Sequence, residues 1–452
     1  MKRVKTDKYD KDTGCGCIYI AHEYEFINNL YKVKVKYRYK RGEYNNMSHS
    51  VYVVGAGAAG MMAAITAARQ GKKVTIIEHR DKAGKKILAT GNGKCNFTNM
   101  YMDKECFRGS NNDYIMDIYN QFDNNAVIDF FKHLGIYPKI KNGYVYPNSG
   151  QAISISEALQ NELRYLNVDI ITNTNIREIY DNKDGYLIIT DKGEYKTDSV
   201  IIAAGSNASP KSGSDGSGYR LAKKLGHTIV PVLPALVQLR SSSPFFKEVA
   251  GVRTDGSVRI MSGRECVAKD SGELMLTDYG ISGIPVFQVS RFASVLLNKN
   301  EKVIARLDFL PEMDFTECKE YIRDRIYSYP DKSIKDNFTG ILNSKLLNAL
   351  LKELKIDINM STGNLSEKQI IDIANGFKNF SINITGTNSF DNAQVCCGGV
   401  SLDELNKDTL ESKLHKGLFF AGEILDVDGI CGGYNLQWAW TSGYIAGLNA
   451  GK

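Results

Sequence analysis

The feature of this sequence that most constrains its fold is a glycine-rich turn, GAGAAG, set between an apolar run and a helix-forming run. The valines within 51–54 predict a short buried strand, the alanine-rich residues after the turn predict a helix, and residues 73–77 predict a second strand. Gly55 permits a tight turn, Gly57 lets a pyrophosphate approach the backbone, and Gly60 lets the helix pack closely on the strand. The sequence therefore predicts a βαβ unit that holds a dinucleotide phosphate at the helix N-terminus.

The acid that ends the second strand narrows the choice of dinucleotide. Glu78 follows the glycines by about twenty residues, where a carboxylate accepts hydrogen bonds from both hydroxyls of an adenosine ribose. A carboxylate there disfavours a 2′-phosphate. The loop is thus predicted to hold FAD or NAD rather than NADP.

Three later segments favour FAD. Residues 81–99 form a polar, glycine-bent stretch that suits the second wall of a long ligand site better than a core element. Residues 199–205, SVIIAAG, read as a further strand, and residues 417–447 read as a strand, a glycine-rich loop and a helix. A ligand contacted by both ends of such a chain is typical of flavoproteins of the glutathione-reductase type, in which insertions interrupt the FAD domain.

From about Ser50 to Gly447 the sequence resembles the BaiN/YhiN-type flavoproteins, also described as aminoacetone-oxidase-family FAD-binding enzymes. The motifs that carry the resemblance are GAGAAG, KKILATGNGKCNFTN, GSDGSGYRLAKKLGH, PALVQL, GELMLTDYGISGIPVFQ and FAGEILDVDGICGGYNLQWAWTSG. One position departs from the family pattern, because Cys396 stands where a threonine is usual.

The resemblance implies a role for each matching residue. The pyrophosphate and ribose would be held by Gly55, Gly57, Ala58, Ala59, Gly60 and Glu78. The ribityl chain and ring would be lined by Lys86, Gly91, Gly93, Lys94, Asn96 and Thr98, with Ala204 and Gly205 near the adenine half. The C-terminal motif would add Gly422, Glu423, Asp428, Gly433, Tyr434, Asn435 and Leu436, the last four beginning a helix whose positive end stabilises a reduced flavin.

The predicted fold class is α/β, with a Rossmann-type FAD-binding domain of the glutathione-reductase type that contains an inserted small β-barrel and helical region. The first part of the FAD-binding domain is predicted at 47–234, the insertion at 235–384 and the C-terminal part at 385–452. Short alternating strands over 237–310 favour the barrel, and leucine and isoleucine spacing over 312–378 favours helices.

The first 46 residues stand apart in charge. They hold eleven lysines and arginines against six acidic residues, which accounts for most of the formal net charge of +6 and leaves the remaining chain nearly neutral. We expect residues 1–46 to be an extension that is disordered or not native, with Met47 as the true start, and a functional basic arm is the alternative.

Composition sets the remaining limits. No apolar run is long enough to span a bilayer, which predicts a cytoplasmic protein without a membrane partner. The nine cysteines include no C-x-x-C pair, so neither a metal site nor a disulfide-reductase chemistry is predicted.

Two residues are the first candidates for a catalytic proton donor. Cys95 and Tyr434 both fall in glycine-rich segments expected near the flavin ring. The alternative for each is a structural role, as a small buried thiol or as a packed ring with its hydroxyl bonded to the backbone. Cys431 ranks below them, the adjacent Cys396 and Cys397 read as core, and the histidines at 133 and 227 read as structural.

Three functions remain open from the sequence. The favoured one is NAD(P)H-driven reduction of an activated C=C bond by FAD, with uridine in large-subunit ribosomal RNA as acceptor, as the resemblance implies. A basic patch of Lys211, Arg220, Lys223 and Lys224 would contact phosphates. The alternatives are reduction of a small conjugated enone such as a steroid or bile-acid intermediate, and an FAD-binding redox sensor without turnover. NADH or NADPH would act as a transient donor, because the sequence contains no second well-formed G-x-G-x-x-G motif. The glycine-rich turn at 213–226 is a candidate for brief contact with that nucleotide, and a structural turn is the alternative.

Overall fold

The computed structural model describes residues 21–27, 30–36 and 49–452. The strands in chain order are β1 Ala21–Ile27, β2 Leu30–Lys36, β3 Ser50–Val54, β4 Lys73–Ile77, β5 Thr98–Asn99, β6 Phe107–Gly109, β7 Pro138–Lys141, β8 Tyr144–Pro147, β9 Asp169–Ile171, β10 Ile176–Asn182, β11 Gly185–Thr190, β12 Glu194–Thr197, β13 Ser199–Ile202, β14 Ile229–Ala235, β15 Leu239–Arg240, β16 Arg253–Ser262, β17 Glu265–Thr277, β18 Gly280–Ser282, β19 Val303–Asp308, β20 Phe380–Ile384, β21 Gly386–Thr387, β22 Val395–Val400, β23 Leu418–Phe420 and β24 Val427–Gly429. The helices are α1 Ala58–Arg69, α2 Lys85–Ala89, α3 Asn112–Tyr119, α4 Asn124–His133, α5 Ala152–Tyr165, α6 Ser217–Lys224, α7 Phe245–Val249, α8 Ile284–Asn298, α9 Phe315–Ser328, α10 Ile334–Asn337, α11 Ser344–Glu353, α12 Glu367–Lys378 and α13 Tyr434–Asn449.

Strands β1 and β2 pair antiparallel and belong to a unit separate from residues 49–452. The rest of the predicted extension, and the start predicted at Met47, lie outside the described residues.

A five-stranded parallel sheet of order β23-β13-β3-β4-β9 forms the centre of residues 49–452. Its strands are short and apolar because both faces are covered, one by α1 and the other by a layer that includes β10 and β11; the four residues of β13, for example, are all buried. Helix α1 follows β3 directly through the glycine turn and leads into β4. The Rossmann-type α/β fold predicted from the glycine turn is confirmed.

Helices α1 and α13 pack backbone against backbone. A Cβ atom on Gly443 would collide with the carbonyl oxygen of Ala59, and one on Gly447 would collide with that of Ala63. Because small residues stand at both contact points, the last helix of the chain lies directly on the first helix of the βαβ unit. This contact brings the C-terminal glycine-rich loop to the start of α1.

A second sheet lies between residues 239 and 387. It has seven antiparallel strands in the order β20-β19-β16-β17-β18-β15-β21. Helices α7–α12 and this sheet share one apolar core, which includes Phe246, Leu350 and Phe377. The domain boundaries at 234 and 385 stay a prediction.

Short antiparallel pairings complete the unit: β10-β11-β12, β5-β8-β7, β14-β22 and β6-β24. Within the described part of the chain, no helix is both long and apolar enough to cross a bilayer.

Candidate active site

A cavity of about 1360 Å³ opens at the carboxyl ends of β3, β4, β13 and β23. This edge of a parallel sheet is where α/β folds bind ligands, because the strands end there and helix N-termini point at the opening. Fifteen of the residues predicted to bind the cofactor line the cavity: Gly55, Gly57, Ala58, Ala59, Glu78, Lys86, Gly91, Asn96, Ala204, Gly205, Gly422, Glu423, Gly433, Asn435 and Leu436.

The glycine loop has the geometry that a pyrophosphate requires. Gly55 has φ of +96° and donates its N–H to the Ile77 carbonyl oxygen at 2.8 Å. A Cβ on Gly60 would collide with the Gly55 carbonyl, whereas a Cβ on Gly57 would meet no atom within 4 Å. Gly60 therefore serves the packing of the turn, and Gly57 leaves open the cavity beside the N-terminus of α1.

Glu78 is bound to the same loop. Its Oε2 accepts a hydrogen bond from the Ala56 N–H at 2.7 Å, and its Oε1 accepts one from the Arg80 N–H at 2.8 Å. The side chain is nearly buried yet lines the cavity. Each carboxylate oxygen retains a lone pair that a ribose hydroxyl can use.

The sequence did not single out His79 and Asp215, which stand next to Glu78. His79 Nδ1 lies 3.4 Å from Asp215 Oδ2 and its Nε2 lies 3.7 Å from Glu78 Oε1. The hydrogen bond to Asp215 raises the pKa of His79, and the same bond lowers the pKa of Asp215. We name this part of the cavity, formed by Glu78, His79, Asp215, Ser217 and Arg220, the nucleotide end.

An ion pair crosses the cavity wall between α2 and the C-terminal motif. Lys86 Nζ lies 2.5 Å from Glu423 Oε2 and also donates to the Ala208 carbonyl at 3.2 Å. Ser206 donates a longer hydrogen bond, 3.4 Å, to the same carboxylate oxygen. The pair joins segments that are more than 300 residues apart in the sequence and neutralises both charges.

Several residues predicted to bind the cofactor lie outside the cavity lining. Gly60 and Thr98 are buried, and the Thr98 hydroxyl donates to Gln437 Oε1 at 2.6 Å, so it anchors α13. Gly93 and Lys94 are exposed beside the cavity. Asp428 also lies outside the cavity lining and is almost fully buried.

Asp428 forms a buried ion pair. Its Oδ1 accepts a hydrogen bond from Arg291 Nε of α8 at 2.8 Å. Burial raises the pKa of Asp428 to about 6 even with this partner beside it. The pair therefore joins β24 to the inserted part of the chain instead of facing the predicted ribityl chain.

Neither predicted proton donor lines the cavity. Cys95 has no exposed surface, and burial raises the pKa of its thiol to about 12. Tyr434 is 4% exposed, its ring meets Phe107 edge-on at 6.0 Å, and burial raises the pKa of its hydroxyl. The direction of a side chain in a glycine-rich loop depends on tertiary packing. The spacing of residues in the sequence therefore does not predict which side chains face the cavity.

Cys431, the candidate ranked below Cys95 and Tyr434, does line the cavity. Burial raises its pKa to about 12, so the thiol is protonated at neutral pH. The adjacent Cys396 and Cys397 are buried, and burial raises the pKa of their thiols to about 11 and about 12.

The other end of the cavity is apolar and was not predicted as a site. Leu236, Val395, Phe287 and Cys431 pack together there. Tyr144 and Tyr146 of β8 complete the wall with Ile284, which begins α8. We name these seven residues the apolar end. The alternation YVY was the available signal, because it places both tyrosines on one face of a strand.

The predicted basic patch lies elsewhere. Arg220 lines the nucleotide end, and Lys224, on the same helix α6, forms an ion pair with Glu178 at 2.6 Å. The glycine-rich turn before α6 contributes Gly213, Asp215 and Gly216 to the same cavity. The turn and Arg220 therefore belong to the nucleotide end, whereas Lys211, Lys223 and Lys224 do not line the cavity.

Neither histidine that was read as structural lines the cavity. His227 is buried, with Nδ1 at 3.0 Å from Glu404 Oε2 and Nε2 at 2.9 Å from Ser412 Oγ. His133 Nδ1 lies 2.7 Å from the Asp129 carbonyl within α4. Among the described residues, no cluster of side chains could hold a metal ion.

The parallel sheet, the glycine turn at its edge and the elongated cavity define a Rossmann-type dinucleotide-binding protein. Residues 49–449 match the family described as HI0933-like protein Rossmann domain. The chain belongs to this family of FAD-dependent oxidoreductases, as the resemblance predicted.

Three curated relatives match over nearly their whole length. The chain is 44% identical to a 3-dehydro-bile acid delta(4,6)-reductase of Clostridium scindens over 402 residues, which cover 88% of this chain and 98% of the relative. It is 27% identical to a ribosomal RNA dihydrouridine synthase of Haemophilus influenzae, over 88% of this chain and 98% of the relative. A ribosomal RNA dihydrouridine synthase of Escherichia coli is also 27% identical, over 87% and 95%.

Proposed function

We propose that this protein is an FAD-dependent reductase of a small, apolar ketone with a conjugated C=C bond, of the steroid or bile-acid type. The observation that carries the proposal is the apolar end of the cavity, whose seven residues include no charged side chain. The relative at 44% identity, which is named for bile-acid reduction, supports the same acceptor. The sequence favoured ribosomal RNA, and this proposal reverses that preference.

The chain would bind FAD along the cavity. The glycine loop and the N-terminus of α1 would hold the pyrophosphate, since the space beside Gly57 is open and the first N–H groups of a helix have no partner within the helix. Glu78 would accept the ribose hydroxyls, and the start of α13 at Gly433, Asn435 and Leu436 would face the flavin ring. Bound reduced FAD supplies hydride to an electron-poor carbon.

The reductant would be NADH or NADPH, bound transiently. The glycine-rich turn at 213–217 lines the nucleotide end of the same cavity, so it is better read as part of the FAD wall than as a second nucleotide site. Cys95 and Tyr434 are not proposed as proton donors, because their side chains lie outside the cavity lining.

A second candidate function is reduction of uridine in ribosomal RNA, which the two relatives at 27% identity favour. RNA phosphates require lysine or arginine near the reacting base. Arg220 lies at the nucleotide end, and Lys86 is already paired with Glu423. Because the seven residues of the apolar end include no lysine or arginine, we rank ribosomal RNA below the small ketone as the acceptor.

The test is turnover with both acceptors under anaerobic conditions. The full chain, loaded with FAD, is given NADH or NADPH and either 3-oxo-4-cholenoic acid or a transcript of large-subunit ribosomal RNA. We expect the steroid acid to gain two hydrogens by mass spectrometry while the uridines stay unchanged. Dihydrouridine in the transcript, with an unchanged steroid acid, would reverse the order of the two candidates, and an absence of both products would contradict the proposal.

A further inference from the structure

Two tyrosines supply polar groups in the wall of the apolar end. Tyr144 and Tyr146 stand two residues apart on β8, so their side chains leave the same face of the strand, while Val145 between them is fully buried on the other face. Both tyrosines line the cavity.

Neither phenol is used by the protein itself. Among the described residues, no hydrogen-bond partner is found for the hydroxyl of Tyr144 or of Tyr146, so each remains available to a ligand. Tyr144 is 39% exposed and Tyr146 is half-buried, so both rings are accessible and are not enclosed in the core. Two accessible donors on one face of a cavity can therefore bind a ligand oxygen.

The two rings flank the place where the segments of the site converge. A Cβ on Gly432, just before α13, would lie 3.1 Å from Tyr144 Cε1, and a Cβ on Gly91 would lie 3.8 Å from Tyr146 Cε1. The tyrosines thus stand near the start of α13 and the turn at 90–93, and Phe287 and Val395 line the same cavity. This is the part of the cavity that remains for the acceptor once the nucleotide end is filled.

The chemistry of the wall selects the kind of oxygen. Arg108 and Asp270 affect the pKa of Cys431, and neither of them lines the cavity. Neutral donors in an apolar wall suit a neutral carbonyl oxygen better than a carboxylate or a phosphate, whose burial requires a cation. Burial raises the pKa of Tyr146, so its phenol retains the proton that it donates.

We propose that Tyr144 and Tyr146 donate hydrogen bonds to the carbonyl oxygen of the ketone acceptor and so form its recognition and polarising site. The assignment rests on the proposed function for the class of acceptor. As hydride arrives at the β-carbon of the conjugated ketone, negative charge moves to the carbonyl oxygen, and donors already aimed at it stabilise that charge. The hydrogen bonds from Tyr144 and Tyr146 to the carbonyl oxygen therefore strengthen during the reaction, and they also orient the C=C bond of the acceptor.

The experiment measures binding, separately from turnover. The full chain with oxidised FAD is titrated calorimetrically with 3-oxo-5β-cholanic acid and with 5β-cholanic acid, which has the same skeleton without the ketone. The variants are Tyr144→Phe, Tyr146→Phe and the control Tyr165→Phe, whose ring is 79% exposed at the end of α5. FAD content and thermal midpoint, equal to those of the wild type, establish that each variant is folded.

We expect each cavity variant to lose affinity for the ketone by about 3- to 10-fold, the worth of one hydrogen bond to a neutral group, and to bind the ketone-free acid within about 2-fold of the wild type. The Tyr165→Phe control should match the wild type with both ligands. The assignment would be overturned by any of three results. These are equal losses of affinity for both ligands, unchanged affinity of the variants for the ketone, and a wild-type protein that binds neither compound. A wild type that binds the ketone but does not reduce 3-oxo-4-cholenoic acid would contradict the proposed function alone.

Discussion

Glu78 Oε2 accepts a hydrogen bond from the Ala56 N–H at 2.7 Å, so the acid at the end of β4 holds the glycine loop that follows β3. The same carboxylate also accepts from the Arg80 N–H through its other oxygen. The residue predicted as a ribose ligand is therefore also a structural clamp between two parallel strands. Its substitution should affect the fold of the loop even when no cofactor is present.

Glu78→Gln tests this clamp. An amide can present only one oxygen, so one of the two backbone N–H groups would face an NH₂ group, and we expect a loss of about 1–3 kcal/mol in the free energy of unfolding of the apoprotein. FAD content should also fall. Urea denaturation with and without FAD measures both effects, with Glu157→Gln on the exposed face of α5 as the control. A Glu78→Gln protein that matches the control would show that the two hydrogen bonds contribute little.

Gly57→Val separates the cofactor from the fold. A Cβ at this position meets no protein atom within 4 Å and projects into open space beside α1, so the apoprotein should fold with wild-type stability. The side chain would occupy the path proposed for the pyrophosphate, and we expect FAD content to fall at least about 10-fold. Absorbance of the purified protein near the flavin bands measures the content. Full FAD content in this variant would refute the assignment of the loop.

Gly443→Val tests the contact between α1 and α13. Its Cβ would collide with the Ala59 carbonyl, so the helices must separate, at a cost of about 1–3 kcal/mol or more. FAD content should fall too, because α13 carries the C-terminal wall of the cavity. Gly386→Val is the matched control, since nothing lies within 4 Å of its Cβ. Equal thermal midpoints for the two variants would contradict the close packing.

Asp428→Asn tests the buried ion pair with Arg291. Removal of the carboxylate leaves a partly buried guanidinium without its counter-charge, and we expect a loss of at most about 3–5 kcal/mol, the cost for a fully buried pair, in the free energy of unfolding. Arg291→Met should be similarly costly, whereas the double variant should recover part of the loss, because no unpaired charge remains. Additive losses in this cycle would show that the two groups act independently.

The pair of His79 and Asp215 makes stability depend on pH. The folded-state pKa of His79 is raised above its ordinary value of 6.5 by Asp215, so the pair's contribution is complete below that value and is lost as pH rises through the folded-state pKa. The difference in free energy of unfolding between wild type and His79→Gln should therefore shrink as the pH rises above 6.5. The same difference measured in an Asp215→Asn background should be nearly flat. A pH-independent difference in the wild-type background would exclude the pair as its cause.

The local parts of the site could be read from the sequence. Gly55, Gly57, Gly60 and Glu78 were assigned to a βαβ unit because strand, turn and helix signals all lie within thirty residues, and hydrogen bonds within such a unit are set by local backbone geometry. The family motifs extended this to the C-terminal loop, and the structure brings Gly422, Glu423 and Gly433 to the same cavity as the glycine turn. The division of the inserted part at 235–384 remains a prediction.

Only the tertiary structure decided which side chains reach the cavity. Cys95, Tyr434 and Asp428 come from motifs expected at the cofactor, yet Cys95 is buried in the core, Tyr434 packs on Phe107 and Asp428 pairs with Arg291. His79 and Asp215 line the cavity although no motif singled them out, and Tyr144 and Tyr146 had only the alternation YVY as a signal. The physical reason is the range of the interactions. A glycine turn is determined by the residues within it, whereas the direction of a side chain in a long-range contact is determined by what the rest of the chain packs against it.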